Sequence, residues 1–103
     1  MNATSTVFIV DDDSAVRDAI SLLLRTDGLT VQSFASAVDF LDAGVDQQPG
    51  CLLLDVRMPG ISGLDLQKRL RARGCRTPIL FMTGHGDVPM AIRAMKAGAF
   101  DFL

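Results

Sequence analysis

Residues 7–28 read VFIVDDDSAVRDAISLLLRTDG. Val7 to Val10 form an unbroken apolar run of the length expected for a strand covered on both faces. Three carboxylates, Asp11, Asp12 and Asp13, follow at once. Then Ala15, Val16, Ala19, Ile20, Leu23 and Leu24 recur at helical spacing, which predicts an amphipathic helix. Asp13 or Ser14 can cap its start, and Gly28 is a good stop. The order is therefore strand, acidic turn, helix. Adjacent carboxylates repel one another, and strand interiors disfavour Asp. Negative charge stacked at the end of the first strand calls for something positive to sit there.

The alternation continues outward from this stretch. LTVQSF (29–34) reads as a second strand, and Ser36 caps a short helix carrying Val38, Phe40 and Leu41. QQPG (47–50) is a turn, and CLLLDV (51–56) is a third strand, apolar up to its Asp. MPGISG (58–63) is a loop before a helix over 64–73, with Leu66 and Leu70 inside. TPILFMT (77–83) is a fourth strand. GHGD (84–87) is a loop ending in a cap, Asp87. A helix over 88–97 tolerates Pro89 in its first turn and stops at Gly98. AFDFL (99–103) reads as a fifth strand. This (βα)₄β order predicts an α/β fold, a doubly wound parallel five-stranded sheet with helices on both faces.

With 103 residues and no linker, internal repeat or shift in composition, one domain over 1–103 is expected. Hydrophobic residues make up 49%, the formal net charge is −2, and Lys and Arg are read as forming no dense run. That balance argues against nucleic-acid binding by this stretch itself. MNATSTV lacks the basic region and apolar core of a secretory signal. No apolar run approaches the roughly 20 residues that span a bilayer. A cytoplasmic setting is expected, with Cys51 and Cys75 as reduced thiols too far apart in sequence for a metal pair.

In doubly wound sheets, ligands sit outside the carboxyl ends of the strands. Asp11 to Asp13 close the first strand, Asp55 the third and Thr83 the fourth. If those strands are neighbours, one pocket gathers two or three carboxylates and a hydroxyl with no obvious cation among them. All-oxygen ligands suit a hard divalent cation, and Mg²⁺ fits best. A carboxylate beside it can attack a phosphoryl group in line and form an acyl phosphate. Asp55, alone at its strand end, is the natural nucleophile. Asp11 and Asp12 would hold the metal, and Thr83 would hydrogen-bond a phosphoryl oxygen. Taken singly, each Asp is also an ordinary turn former or cap, Asp13 above all. Thr83 alone is more often a buried, satisfied hydroxyl. The joint placement at three strand ends carries the inference.

VDDD (10–13), LLLDVRMPGISG (52–63) and MTGHGDVPMAIRAMKAGAFDFL (82–103) together resemble the response-regulator receiver domain of two-component signalling. TGHGDVPMA (83–91) further resembles the subgroup joined to a helix-turn-helix DNA-binding domain. The resemblance implies a flavodoxin-like strand order 2-1-3-4-5. It implies that Asp55 is the phosphoacceptor, receiving its phosphoryl group from a sensor histidine kinase. Asp11 and Asp12 are then the acidic metal pair, with Asp55 and the main-chain carbonyl of Arg57 as further Mg²⁺ ligands. Thr83 and Phe102 are the switch pair, and DNA is reached only through a separate output domain. Pro59 and Gly63 belong to the loop after the acceptor, where Gly permits positive φ or close approach; an ordinary loop before a helix accounts for both equally well.

The family pattern continues after DFL with a Lys-Pro pair and a fifth helix, and the chain stops before them. Lys96 does not match that Lys; late in a helix, it reads as a solvated cation favoured by the helix dipole. A sheet face left uncovered beside the first helix predicts an intermolecular contact: a symmetric dimer, an exchange of segments, or pairing at the fifth-strand edge. Arg57 and His85, each two residues beyond a site residue, flank the path of an attacking water and could set the lifetime of the phosphoryl group. His85 is as readily a plain loop residue.

Two other functions compete. Metal-dependent phosphatases with an Asp nucleophile resemble Asp-x-Asp after a strand, but Asp55 is followed by Val56 and Arg57, so the general acid is missing and no enzyme is expected. A phosphorylation-independent interaction or dimerisation module is the alternative.

Overall fold

The computed structural model describes residues 6–82. Strand β1 (Thr6–Val10) is buried along its whole length, because it lies inside the sheet with strands on both sides. It pairs in parallel with β2 (Thr30–Phe34) and with β3 (Gly50–Asp55); β3 in turn pairs in parallel with β4 (Ile79–Met82). The order is β2-β1-β3-β4. The fifth strand and the helix expected over 88–97 lie outside the described residues.

Strand period two divides the core between the faces. Val7 and Ile9 of β1 and Cys51 and Leu53 of β3 pack with Ile20 and Leu24 of helix α1 (Ser14–Thr26). Phe8, Val10, Leu52 and Leu54 point the other way. There they meet Phe40 of α2 (Ala37–Ala43) and Leu66 and Leu70 of α3 (Gly63–Ala72). Phe40 stands edge-on to Phe8 and to Phe34, at centroid distances of 5.9 and 5.3 Å. Two-sided burial is why β1 and β3 read as continuous apolar runs. Edge strand β2 fully buries Val31 alone.

The expected boundaries of the first three helices hold within a residue or two, and the side chains explain them. Asp13 caps α1, its Oδ1 accepting from the amides of Ala15 (2.9 Å) and Val16 (3.3 Å). Gly28, at φ +84°, ends it: the amides of Gly28 and Leu29 donate to the carbonyls of Arg25 and Leu24. The left-handed turn there favours glycine. Ser36 caps α2 as expected, and Ser62 caps α3, accepting from Asp65 N at 3.2 Å.

The inward face of α1 is narrower than its apolar spacing. Ile20, Leu24 and Ser21 are buried and Val16 partly so, whereas Ala15 and Ala19 are exposed and Leu23 keeps 44% of its surface. Apolar residues fill two adjoining stripes of this helix, and the sheet takes only the Val16–Ile20–Leu24 stripe. The reading of dispersed cations is also corrected in one place. Lys68, Arg69, Arg71, Arg73 and Arg76 are all exposed in or just after α3. Arg71 and Arg73 are turned to internal use there: Arg71 Nη1 donates to the carbonyls of Cys75 and Thr77, and Arg73 pairs with Asp46. Cys51 and Cys75 are both buried, on opposite faces of the sheet. Among the described residues, no helix is long and apolar enough to cross a membrane.

Candidate functional site

The register β1↔β3 sets Val10 beside Leu54, so the next residues, Asp11 and Asp55, emerge together at the carboxyl end of the sheet. Asp12 joins them. Each of the three carboxylates offers an oxygen, and these oxygens lie within 4.8 Å of one another. Asp11 is buried, Asp55 half-buried and Asp12 exposed, so the pocket opens to solvent on one side.

The two strand-end carboxylates are held in the same way. Asp11 Oδ1 accepts from the amide of Asp13 at 2.8 Å, and Asp55 Oδ1 accepts from the amide of Arg57 at 3.0 Å. In each case the side chain folds onto the backbone two residues ahead, as Asp does at turns. Each turn uses Oδ1 and leaves Oδ2 outside it.

Glycine at 63 brings α3 against this end. A Cβ there would overlap the carbonyl oxygen of Asp55, so the helix start can approach β3 only without a side chain. The amide of Gly63 donates to Val56 O at 3.1 Å, and Val56 N to Met82 O at 3.1 Å. Of the two uses expected for glycine in this loop, close approach is the one Gly63 serves.

Among the described residues, burial and mutual repulsion outweigh the positive charge at the pocket. Burial raises the Asp11 carboxyl above the ordinary value; repulsion from Asp12 and Asp13 adds to this, against the Asp13 amide and Arg17. Asp55 is raised too, first by burial and then by Asp11 and Asp12, against the Arg57 amide. Both groups are therefore harder to ionise folded than unfolded. A cation among them reverses that.

Asp11, Asp12 and Asp55 thus come together as expected, and Asp13 is the helix cap. Arg57 lies on the rim, exposed, with its amide on Asp55. Thr83 follows directly on Met82, whose register partner is Asp55. Thr83, His85, Lys96 and Phe102 all lie outside the described residues. One neighbour was overlooked: the guanidinium of Arg17 donates to the main-chain oxygen of Asp11 at 2.7 Å, so the pocket does have a cation beside it. Its sequence signal is an Arg in the first turn of a helix, where the dipole disfavours cations, next to three carboxylates.

A parallel sheet of order β2-β1-β3-β4 with carboxylates gathered at its carboxyl end defines an acidic-pocket member of the doubly wound α/β class. The family follows from comparison. Residues 7–103 match the model of the response regulator receiver domain, and the chain belongs to that family. The transcriptional regulatory protein FixJ of Azorhizobium caulinodans is 57% identical over 97 residues, covering 94% of this chain and 46% of its own length. Among solved structures, the response regulator StyR superposes with a TM-score of 0.76 at 52% identity, over 92% of this chain and 48% of that one. The crystal structure of FixJ-N superposes with a TM-score of 0.73 at 44% identity, over 91% of this chain and 75% of that one. The chain spans about half the length of the curated relatives it matches.

Proposed function

We propose that this chain is the phosphoacceptor module of a two-component response regulator, with Asp55 as the acceptor. The observation that carries this reading is the convergence of Asp11, Asp12 and Asp55 within 4.8 Å at the carboxyl end of a receiver sheet. An all-carboxylate donor set suits a hard dication. Asp11, Asp12 and Asp55, with the main-chain carbonyl of Arg57, would hold Mg²⁺. When bound, Mg²⁺ supplies the charge that offsets the carboxylates and the oxygens of a transferring phosphoryl group.

The chain's own residues do the rest. A carboxylate oxygen of Asp55 attacks phosphorus in line as the bond to a phosphohistidine nitrogen breaks; the electron pair returns to that imidazole, and an acyl phosphate stands on Asp55. The Arg57 amide fixes the carboxylate for this attack. By the family resemblance, Thr83 would give its hydroxyl to a phosphoryl oxygen, with Phe102 as its switch partner. Arg57 and His85, each two residues beyond a site residue, would set the lifetime of the phosphoryl group. On this reading one domain covers 1–103 and works in the cytoplasm, with a sensor histidine kinase as donor. It regulates transcription through a helix-turn-helix output domain elsewhere in the whole protein. A second copy of the chain is a further expected partner, tested by light scattering at micromolar concentration.

Incubation with acetyl phosphate and Mg²⁺ tests the acceptor. One added phosphoryl group, labile to hydroxylamine and absent from Asp55→Asn, is the expected result. An unmodified Asp55 in Mg²⁺ sinks this reading and favours a phosphorylation-independent interaction module.

A further inference from the structure

Arg17 stands in an unfavourable place. Its amide donates to Asp13 O at 3.0 Å, which puts it in the first turn of α1, where the helix dipole opposes a cation. Its side chain bends back towards the helix start, and Nη1 donates to the main-chain oxygen of Asp11 at 2.7 Å. The sheet ladder has ended there: the amide of Asp11 still reaches Phe34 O at 3.2 Å, but β1 stops at Val10. The Asp11 carboxylate is meanwhile held by the Asp13 amide at 2.8 Å. Asp11 is thus pinned at amide, side chain and carbonyl, and Arg17 makes the third hold. The peptide so held joins Asp11 to Asp12, and its orientation sets where both carboxylates point. Because the bond goes to the main-chain oxygen, it leaves the carboxyl oxygens of Asp11 outside it. A guanidinium serving only as counterion would take those oxygens first.

We propose that Arg17 is a positioning residue for a divalent cation, locking the Asp11–Asp12 peptide so that both carboxylates face Asp55 before the cation arrives. This rests on the metal reading of the pocket and adds the residue that preorganises it. Two other roles make different predictions. A cation acting as an electrostatic brake would weaken Mg²⁺ binding, and a simple clasp would stabilise α1 alone.

Wild type, Arg17→Lys and Arg17→Met separate these roles in two measurements by NMR. In EDTA, amide exchange at Asp12 and Asp13 is expected to quicken in Arg17→Met and less so in Arg17→Lys, which keeps a charged donor. In a Mg²⁺ titration, Arg17→Met is expected to bind about 10-fold more weakly, with partial rescue in Arg17→Lys. Tighter Mg²⁺ binding by Arg17→Met overturns the proposal in favour of the brake. A lower melting temperature with unchanged exchange and unchanged Mg²⁺ affinity overturns it in favour of the clasp. A wild type with no Mg²⁺-dependent shift overturns the metal reading and the cation half of the proposal with it. Faster exchange at Asp12 and Asp13 in EDTA still supports the hold of Arg17 on the loop.

Discussion

Each end of the sheet buries an aspartate, and the two ends treat it differently. At the amino end, Asp46 keeps 8% of its surface. Its Oδ2 lies 3.6 Å from Arg73 Nη1 and accepts from Gln47 Nε2 at 3.4 Å, while its carbonyl accepts from Cys75 Sγ at 2.9 Å. At the carboxyl end, Asp11 keeps 5% and faces two further carboxylates. A neighbouring cation, Arg17, donates to its carbonyl instead. Burial of a charge is costly unless the charge is paired. The amino end meets that condition within the chain. Among the described residues the carboxyl end pairs no cation with the Asp11 carboxylate, and such a cluster could hold one from outside the chain.

The contrast can be broken by steric means first. Gly63→Ala drives a methyl group into the Asp55 carbonyl and is expected to cost about 3 kcal/mol in chemical denaturation. The displaced Asp55 should lose Mg²⁺ affinity as well. Ala at Gly28, where no atom lies within 4 Å of the added Cβ, is the milder control, bearing only the strain of its positive φ.

Removing one carboxylate comes next. Asp11→Asn is expected to weaken Mg²⁺ at least about tenfold, or about 1.4 kcal/mol, by calorimetric titration. Asp46→Asn should leave that affinity unchanged.

Acid sharpens the comparison further. Asp11 and Asp55 titrate above the ordinary 3.8 when folded, so their ionised forms oppose folding in EDTA. Their share of stability is full below 3.8 and is lost as the pH rises through the folded values. Melting temperature in EDTA should therefore rise as the pH is lowered from neutral towards 3.8, and Asp55→Asn should flatten the rise. With saturating Mg²⁺ the sign reverses, because the cation binds the ionised carboxylates.

The smallest effect belongs to the amino end. Arg73 is 49% exposed, so its pair with Asp46 is screened by water. Arg73→Ala should cost no more than about 1 kcal/mol in denaturant melts and leave Mg²⁺ affinity untouched.

How far these features could be read in advance varies by element. Both inner strands were legible because two-sided burial writes itself as an unbroken apolar run. Helix α1 was legible as a helix and its face in part: Val16, Ile20 and Leu24 meet the sheet, whereas Ala19 and Leu23 have the right spacing yet stay exposed and Ser21 is taken in instead. The three site carboxylates were legible jointly, through their positions at strand ends. Arg17 was not, because its hold on Asp11 O depends on where a long side chain turns back. The use of Gly63 was open between positive φ and close approach, and only the packing of α3 on Asp55 distinguishes the two.

Local order along the chain thus came from residue pattern: which segments are strands, which are helices, and that acidic side chains end the first and third strands. Pattern suffices there because burial and hydrogen bonding act on neighbours a few residues apart. The meeting of Asp11 with Asp55, the satisfied state of Asp46 and the work of Arg17 depended on the folded molecule. Each rests on a distance between atoms far apart in the chain, set by strand register and helix packing rather than by any residue's own preference.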